Sequence, residues 1–272
     1  MNLATPVGLL IAIVALVGTV LLEGGELKAF LSPSAMLIVF GGTIGAVTIA
    51  FPGKVVMGLP MLIKQAFTHK VPDTVATSQT LMRLAERARR EGLLALEEEL
   101  ESIKDGLLRR GVMLVVDGTD PELVQGVLDT EISVRDKEHE SGAALLEAMG
   151  GFAPTMGIIG TVMGLVHVLA NLSDPSGLGE AISVAFIATF YGVASANLLW
   201  LPLGTKLKKQ RESERAVEEM ILEGLASVQA GENPRVMQER LEPYLPKRRK
   251  AKAEGTEGDG AAGQERLRAA EA

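Results

Sequence analysis

The sequence predicts an all-α integral membrane protein: four transmembrane helices with a cytoplasmic helical domain. Three observations carry that expectation. Apolar residues make up 47% of the 272-residue chain and are concentrated in blocks rather than scattered. Four of these blocks approach or reach the roughly 20 mainly apolar residues that cross a bilayer. The charged residues, 22% of the chain, collect in two other blocks whose apolar positions recur at helical spacing.

The first span is Leu3 to Leu22, which holds no charge. It lacks the basic start and the small-residue cleavage site of a signal peptide, and so reads as a retained span. The second, Ser34 to Phe51, is uncharged and rich in Gly, Ala and Ile. The third, Phe152 to Leu172, has His167 as its one ionisable group, and the fourth, Ala181 to Leu203, has none. Lys and Arg set the orientation. The loop between spans one and two holds Glu23, Glu26 and the single base Lys28, and that between spans three and four holds Asp174 and Glu180. Lys54, Lys64 and Lys70 follow span two, and Lys206, Lys208, Lys209 and Arg211 follow span four. Both termini and the long middle segment are therefore expected to be cytoplasmic.

The middle segment reads as helices. Asp73-Thr74 suits a cap for a helix carrying Leu81, Leu84 and Ala88 that stops at Gly92. An acidic helix through Leu96, Leu100 and Ile103 follows, then one with Leu107, Leu108 and Val112. Val112 to Val116 fits either a buried strand or a helix segment. Asp120-Pro121-Glu122 is a helix start, with a capping carboxylate and proline at the first position. That helix carries Leu123, Val127, Leu128, Leu145 and Leu146, and Gly142, Gly150 and Gly151 weaken its continuity into span three. Lys206 to Ala230 reads as a further helix with Val217, Met220, Ile221 and Leu225 on one face, and Asn233-Pro234 opens a last short one. The chain thus divides into 1–51 (transmembrane helices 1 and 2), 52–151 (cytoplasmic helical domain), 152–203 (transmembrane helices 3 and 4), 204–246 (cytoplasmic helices) and 247–272. The last stretch opens on the basic run Lys247-Arg248-Arg249-Lys250 and continues rich in Ala, Gly and Glu, a composition that predicts a disordered tail. The basic run suits either contact with anionic lipid or a solvated tail.

Composition also excludes. The chain has no cysteine and three well-separated histidines, so neither a thiolate site nor a histidine-built zinc site is expected. A net charge of −7 argues against nucleic acid as a partner. No nucleophile–base pair, phosphate loop or metal cluster stands out, so no enzyme and no cofactor are expected. None of the four spans contains a carboxylate, so a cation relay through them would need one from a partner. Spans three and four instead show small residues and hydroxyls. Ala153, Gly157, Thr161 and Gly160-Gly164 repeat at four-residue steps, and Ala181, Ala185, Ala188, Gly192 and Ala196 form a second stripe. Such stripes let helices approach closely. Pro154 and Pro202, at the cytoplasmic ends of these spans, fit either helix punctuation or a hinge.

The stretch Ala153-Pro154-Thr155-Met156-Gly157-Ile158-Ile159-Gly160-Thr161-Val162-Met163-Gly164-Leu165 resembles the third span of flagellar stator A subunits, the MotA/PomA family of the MotA/TolQ/ExbB proton channel superfamily. Ala185 to Val193, through Pro202 to Lys206-Leu207-Lys208, resembles its fourth span and exit. Gly41-Gly42-Thr43 and Arg89-Arg90-Glu91-Gly92-Leu93-Leu94-Ala95-Leu96-Glu97 match as well. The resemblance runs from about Met1 to Pro246.

The resemblance implies a ring-shaped homopentamer in the bacterial inner membrane around two copies of a MotB/PomB-type B subunit. That partner supplies an intramembrane aspartate and a peptidoglycan-binding domain. Ion flow at the aspartate turns the A ring, which drives the rotor protein FliG. By the same resemblance, Thr161 and Thr189 line the ion pathway, and Pro154 and Pro202 flank the ion site. Arg89 and Glu97, with their neighbours Arg90 and Glu98, face the rotor. Thr161 matches a threonine typical of sodium-driven members, whereas Ala188 stands where some of those carry a second threonine. Two hydroxyls suit a hard cation, which favours Na+ over H+. Two alternatives remain: an ExbB/TolQ-like energiser of outer-membrane processes, against which the four-span layout argues, and a membrane scaffold without ion flow.

Overall fold

A computed structural model describes residues 4–68, 72–170 and 177–246. Every regular element among them is helical. In chain order these are α1 (Ala4–Leu22), α2 (Pro33–Met36), α3 (Gly42–Ala50), α4 (Gly53–Met57), α5 (Leu59–Thr68), α6 (Thr74–Glu91), α7 (Gly106–Val116), α8 (Pro121–Ala170), α9 (Leu178–Ser195), α10 (Leu201–Gln229) and α11 (Pro234–Leu241). A π-helical turn, Leu37–Gly41, joins α2 to α3, and another, Ala196–Trp200, joins α9 to α10. The tail 247–272 and the Asp174 loop lie outside the described residues.

Four helical stretches are long and apolar enough to cross a membrane: Ala4–Leu22, Leu27–Ala50, Pro121–Ala170 and Leu178–Gln229. The last two differ from expectation in length. The helix that opens at Pro121 runs without a break to Ala170, and span four continues into the helix expected from Lys206. The glycines that weaken continuity locally are used for packing instead. A Cβ on Gly142 would meet Leu62 Cδ2 at 2.6 Å, and one on Gly150 would meet Leu201 Cδ2 at 2.4 Å. Tertiary contact thus outweighs a helix cost of about 1 kcal/mol per glycine.

The chain forms two compact units, Met1–Lys70 with Val134–Glu212, and Val71–Ser133 with Ser213–Ala272. This division follows compaction, whereas the expected segments follow the membrane. In the first unit, Leu145, Leu146, Met149 and Ala153 of α8 pack with Val47, Ala66, Trp200 and Leu203. Arg211, almost buried, bonds Asp136 Oδ1 at 2.6 Å. Helix α1 buries none of its residues.

The second unit is a small helical domain. Leu81 and Leu84 of α6, Leu107, Leu108 and Val112 of α7, Leu128 of α8 and Met220, Ile221 and Leu225 of α10 form its core. Local chemistry sets its helix ends. Asp73 caps α6 by accepting from Val75 N at 2.9 Å, and Gly92, at φ 86°, ends it. Asp105 caps α7 through Leu108 N at 2.9 Å, and Asn233 caps α11 through Arg235 N at 3.0 Å. Val112 to Val116 is helical, and the acidic segment expected as a helix is a 3-10 stretch, Leu93–Glu99. Within the second unit α8 buries Val124, Leu128 and Ile132, whereas Leu123 and Val127 are exposed. Of the expected positions Leu128, Leu145 and Leu146 are buried, whereas Leu123 and Val127 give way to Val124.

Candidate functional site

The two small-residue stripes pack against each other. A Cβ on Gly157 would lie 2.8 Å from Ala188 O and 3.0 Å from Thr189 Cα. One on Gly160 would lie 2.7 Å from Ala188 Cβ, and one on Gly164 2.6 Å from Ala185 Cβ. Only glycine allows α8 and α9 to come this close. The stripes are thus a helix seam within one chain, and the seam positions two hydroxyls.

Thr161 and Thr189, both half-buried, meet across this seam in a direct hydroxyl–hydroxyl hydrogen bond. Thr161 Oγ1 also lies 3.1 Å from the carbonyl oxygens of Gly157 and of Ala185, and Thr189 Oγ1 lies 3.4 Å from Gly157 O. A threonine hydroxyl readily donates to the carbonyl one helical turn back. One hydroxyl of the pair spends a lone pair accepting from the other, and the lone pairs that remain can face a cation. Four oxygens from two helices thus converge, a donor set that suits a hard cation and falls short of a full cage. A groove of about 870 Å³ flanks the seam, with Ile38, Gly160, Gly164 and Ala188 on its walls. His167 and Glu180 also border it.

The prolines separate. Pro154 lies inside α8 rather than at a helix start, so it does not punctuate the chain. It lacks the N–H that would bond the carbonyl of Gly150. Gly192 packs there: a Cβ on it would be 2.5 Å from Ala153 O and 3.1 Å from Pro154 Cα. Pro154 therefore belongs to the same seam as Thr189. Pro202 follows Thr189 by 13 residues, about 20 Å along a helix, and lines a different groove beside α1.

The charged residues gather at the end of α6. Arg89 and Arg90 occupy its last turn, and Glu97 and Glu98 lie in the 3-10 stretch that follows. All four are exposed. Arg89, Arg90 and Glu97 make no ion pair among the described residues, whereas Glu98 is held by Arg87. Arg87, which sequence reasoning passed over, is the organiser. Its guanidinium pairs with Glu99 at 2.8 Å and Glu91 at 3.1 Å as well as with Glu98. The hydrogen bonds it donates to Glu99, Glu98 and Glu91, in that order, raise its pKa further. Arg87 in turn holds the Glu99 carboxyl below the usual carboxylate range, helped by Arg83 at 3.1 Å. The Arg87–Glu91 spacing of four residues was the available signal. Tyr191 was also missed: its hydroxyl donates to Phe30 O and accepts from Ser32 N at 3.4 Å, tying α9 to the segment before α2.

The profile of the MotA/TolQ/ExbB proton channel family matches residues 99–220, and that of the motility protein A N-terminal region matches residues 6–92. Motility protein A of Bacillus subtilis is 36% identical over 90% of this chain and 92% of its own. The flagellar MotAB stator complex from Bacillus subtilis contains a chain that superimposes with a TM-score of 0.84, at 36% identity over 92% of this chain and 98% of that one. The C. jejuni MotAB structure contains one with a TM-score of 0.86, at 28% identity over 91% and 97%.

Proposed function

The chain belongs to the motility protein A (MotA/PomA) family, and from that membership we propose that it is the A subunit of a flagellar stator, a channel-type protein and not an enzyme. It spans the bacterial inner membrane four times with both termini in the cytoplasm. Copies of it form a ring, a pentamer, around a MotB-type partner. The partner contributes the intramembrane aspartate that the four spans of this chain lack. Cations, sodium in preference to protons, pass that carboxylate beside Thr161 and Thr189, and the ring turns. Arg89, Arg90, Glu97 and Glu98 pass the torque to a FliG-type rotor protein.

One observation carries the proposal: the Thr161 and Thr189 hydroxyls meet, with two backbone carbonyls, in the small-residue seam of α8 and α9. A dehydrated sodium ion needs several oxygen ligands, of which a partner carboxylate supplies only some. The remaining ligands are the kind this seam offers. The ExbB/TolQ reading is disfavoured by the match of residues 6–92 to a motility protein A region. Deletion of the gene tests the assignment. Cells should keep their flagella and lose swimming, with recovery on supplying this chain together with its B partner. Retained swimming, combined with an outer-membrane uptake defect, would transfer the chain to the rival class.

A further inference from the structure

A second groove, of about 500 Å³, lies between α1 and the α9–α10 helix, within the 300–1,000 Å³ of ordinary ligand pockets. One wall is Gly8, Leu9 and Ala12 of α1. The facing wall includes Leu199 and Leu203, with Phe67 of α5 beside them. The two ends differ in chemistry. Thr5, Lys206 and Lys209 gather at one end, Lys206 less than one helical turn and Lys209 less than two turns beyond the expected span-four limit at Leu203, and the rest of the lining is mostly apolar. The groove therefore has the polarity of a lipid: a cationic head region at the membrane boundary and an apolar channel running from it.

Lys206 is the telling residue. It is half-buried, and its ammonium bonds the neutral Thr5 hydroxyl, with no carboxylate partner among the described residues. Burial lowers its pKa. A desolvated cation is costly unless an anion compensates it. The neighbouring lysines do not share this situation: Lys208 pairs with Glu147 at 2.8 Å, and Lys209 with Glu212 at 3.5 Å. The anion that reaches this depth from the side is a phospholipid phosphate, and basic pockets between helices at the cytoplasmic boundary are suited to such headgroups.

We propose that this groove binds one anionic phospholipid, its phosphate held by Lys206 and an acyl chain lying along α1 against Leu199 and Leu203. The lipid would fasten α1, which buries none of its own residues, to the inner helices. The proposal rests on the membrane orientation given above and needs neither ion flow nor rotation.

Native mass spectrometry of the purified complex of this chain with its B partner tests it, with added phosphatidylglycerol, phosphatidylcholine or soluble glycerol phosphate. Phosphatidylglycerol should remain bound through detergent stripping, and neither of the others should. Lys206→Gln should weaken retention about fivefold, as expected for one lysine at an anionic surface. Lys206→Arg should restore retention, and Lys208→Gln should leave it unchanged. A photoactivatable phosphatidylglycerol on the unaltered complex gives a readout independent of variant folding, and its label should fall on residues 4–12 or 197–209. Equal retention of both phospholipids, or a label confined to other segments, would overturn the proposal. So would a zero-length cross-link from Lys206 to a carboxylate of a neighbouring copy. Cells that still swim under any of these results would leave the stator reading intact.

Discussion

Gly157→Ala should damage the protein where an alanine at an open glycine of the same helix, such as Gly151, would not. Its Cβ would sit 2.8 Å from Ala188 O, about 0.6 Å inside the 3.4 Å where ordinary contact begins, and 3.0 Å from Thr189 Cα. Both obstacles are backbone atoms of α9, so no side chain can swing aside. The two helices must part instead, and overpacking of this kind costs about 1–3 kcal/mol. The helix propensity gained by replacing glycine offsets about 0.5–1 kcal/mol of that. A net loss of about 1–2 kcal/mol should lower the Tm of the purified complex by roughly 2–8 °C. Parting the helices also draws Thr189 away from Gly157 O and Thr161, so swimming should fall by more than stability does. Gly151→Ala is the matched control, because nothing lies within 4 Å of its Cβ, and it should be neutral or slightly stabilising. A Gly157→Ala complex with unchanged Tm and full swimming speed would refute the close-packed seam.

Arg89→Glu or Glu97→Lys should reduce torque at high load while leaving stability within about 0.5 kcal/mol of the parent, since exposed, unpaired charges contribute little to folding. Bead-loaded rotation and thermal unfolding check the two halves. Glu99 makes a pH prediction. Its folded pKa is lowered, so its stabilisation is complete above the ordinary carboxyl value of 4.5 and is lost as pH falls through the lowered value. Unfolding measured from pH 6 downward should therefore be shallower in Glu99→Gln than in the parent, and parallel curves would contradict the Arg87 pairing. Replacing sodium by potassium at constant membrane potential should stop rotation, and undiminished rotation would move the coupling ion to protons.

What could be read from the sequence is what local chemistry decides. Asp73, Gly92 and Asn233-Pro234 mark helix ends because a cap or a positive φ involves only neighbouring residues. The apolar, uncharged spans needed no more than length and composition. Continuity of α8 was not legible, since Gly142, Gly150 and Pro154 are breakers locally and become contact points only against Leu62, Leu201 and Gly192. The buried stripe on α8 was ambiguous for a related reason. Leu123 with Val127, and Val124 with Leu128, have the same four-residue spacing, and only packing in the second unit selects the latter. The Thr161–Thr189 contact joins residues 28 apart on two helices, so periodicity could place each beside a small-residue stripe without pairing them. Their association with an ion pathway came from family resemblance. Arg87 was overlooked because two of its three carboxylates, Glu98 and Glu99, lie beyond Gly92, where the chain direction depends on that glycine's φ of 86°.

The central claim is that a hydroxyl pair in the α8–α9 seam serves an ion path that drives rotation. Tethered-cell rotation with Thr189→Ala, in cells expressing the native B partner, tests it most directly. Helix packing alone would tolerate the change, because alanine is smaller and Ala188 already occupies the adjoining seam position. The account predicts a complex that assembles at parental levels in the membrane and does not rotate, with Thr161→Ala rotating only at raised sodium concentration. Rotation of Thr189→Ala cells at parental speed would contradict the account and leave the seam as helix packing alone.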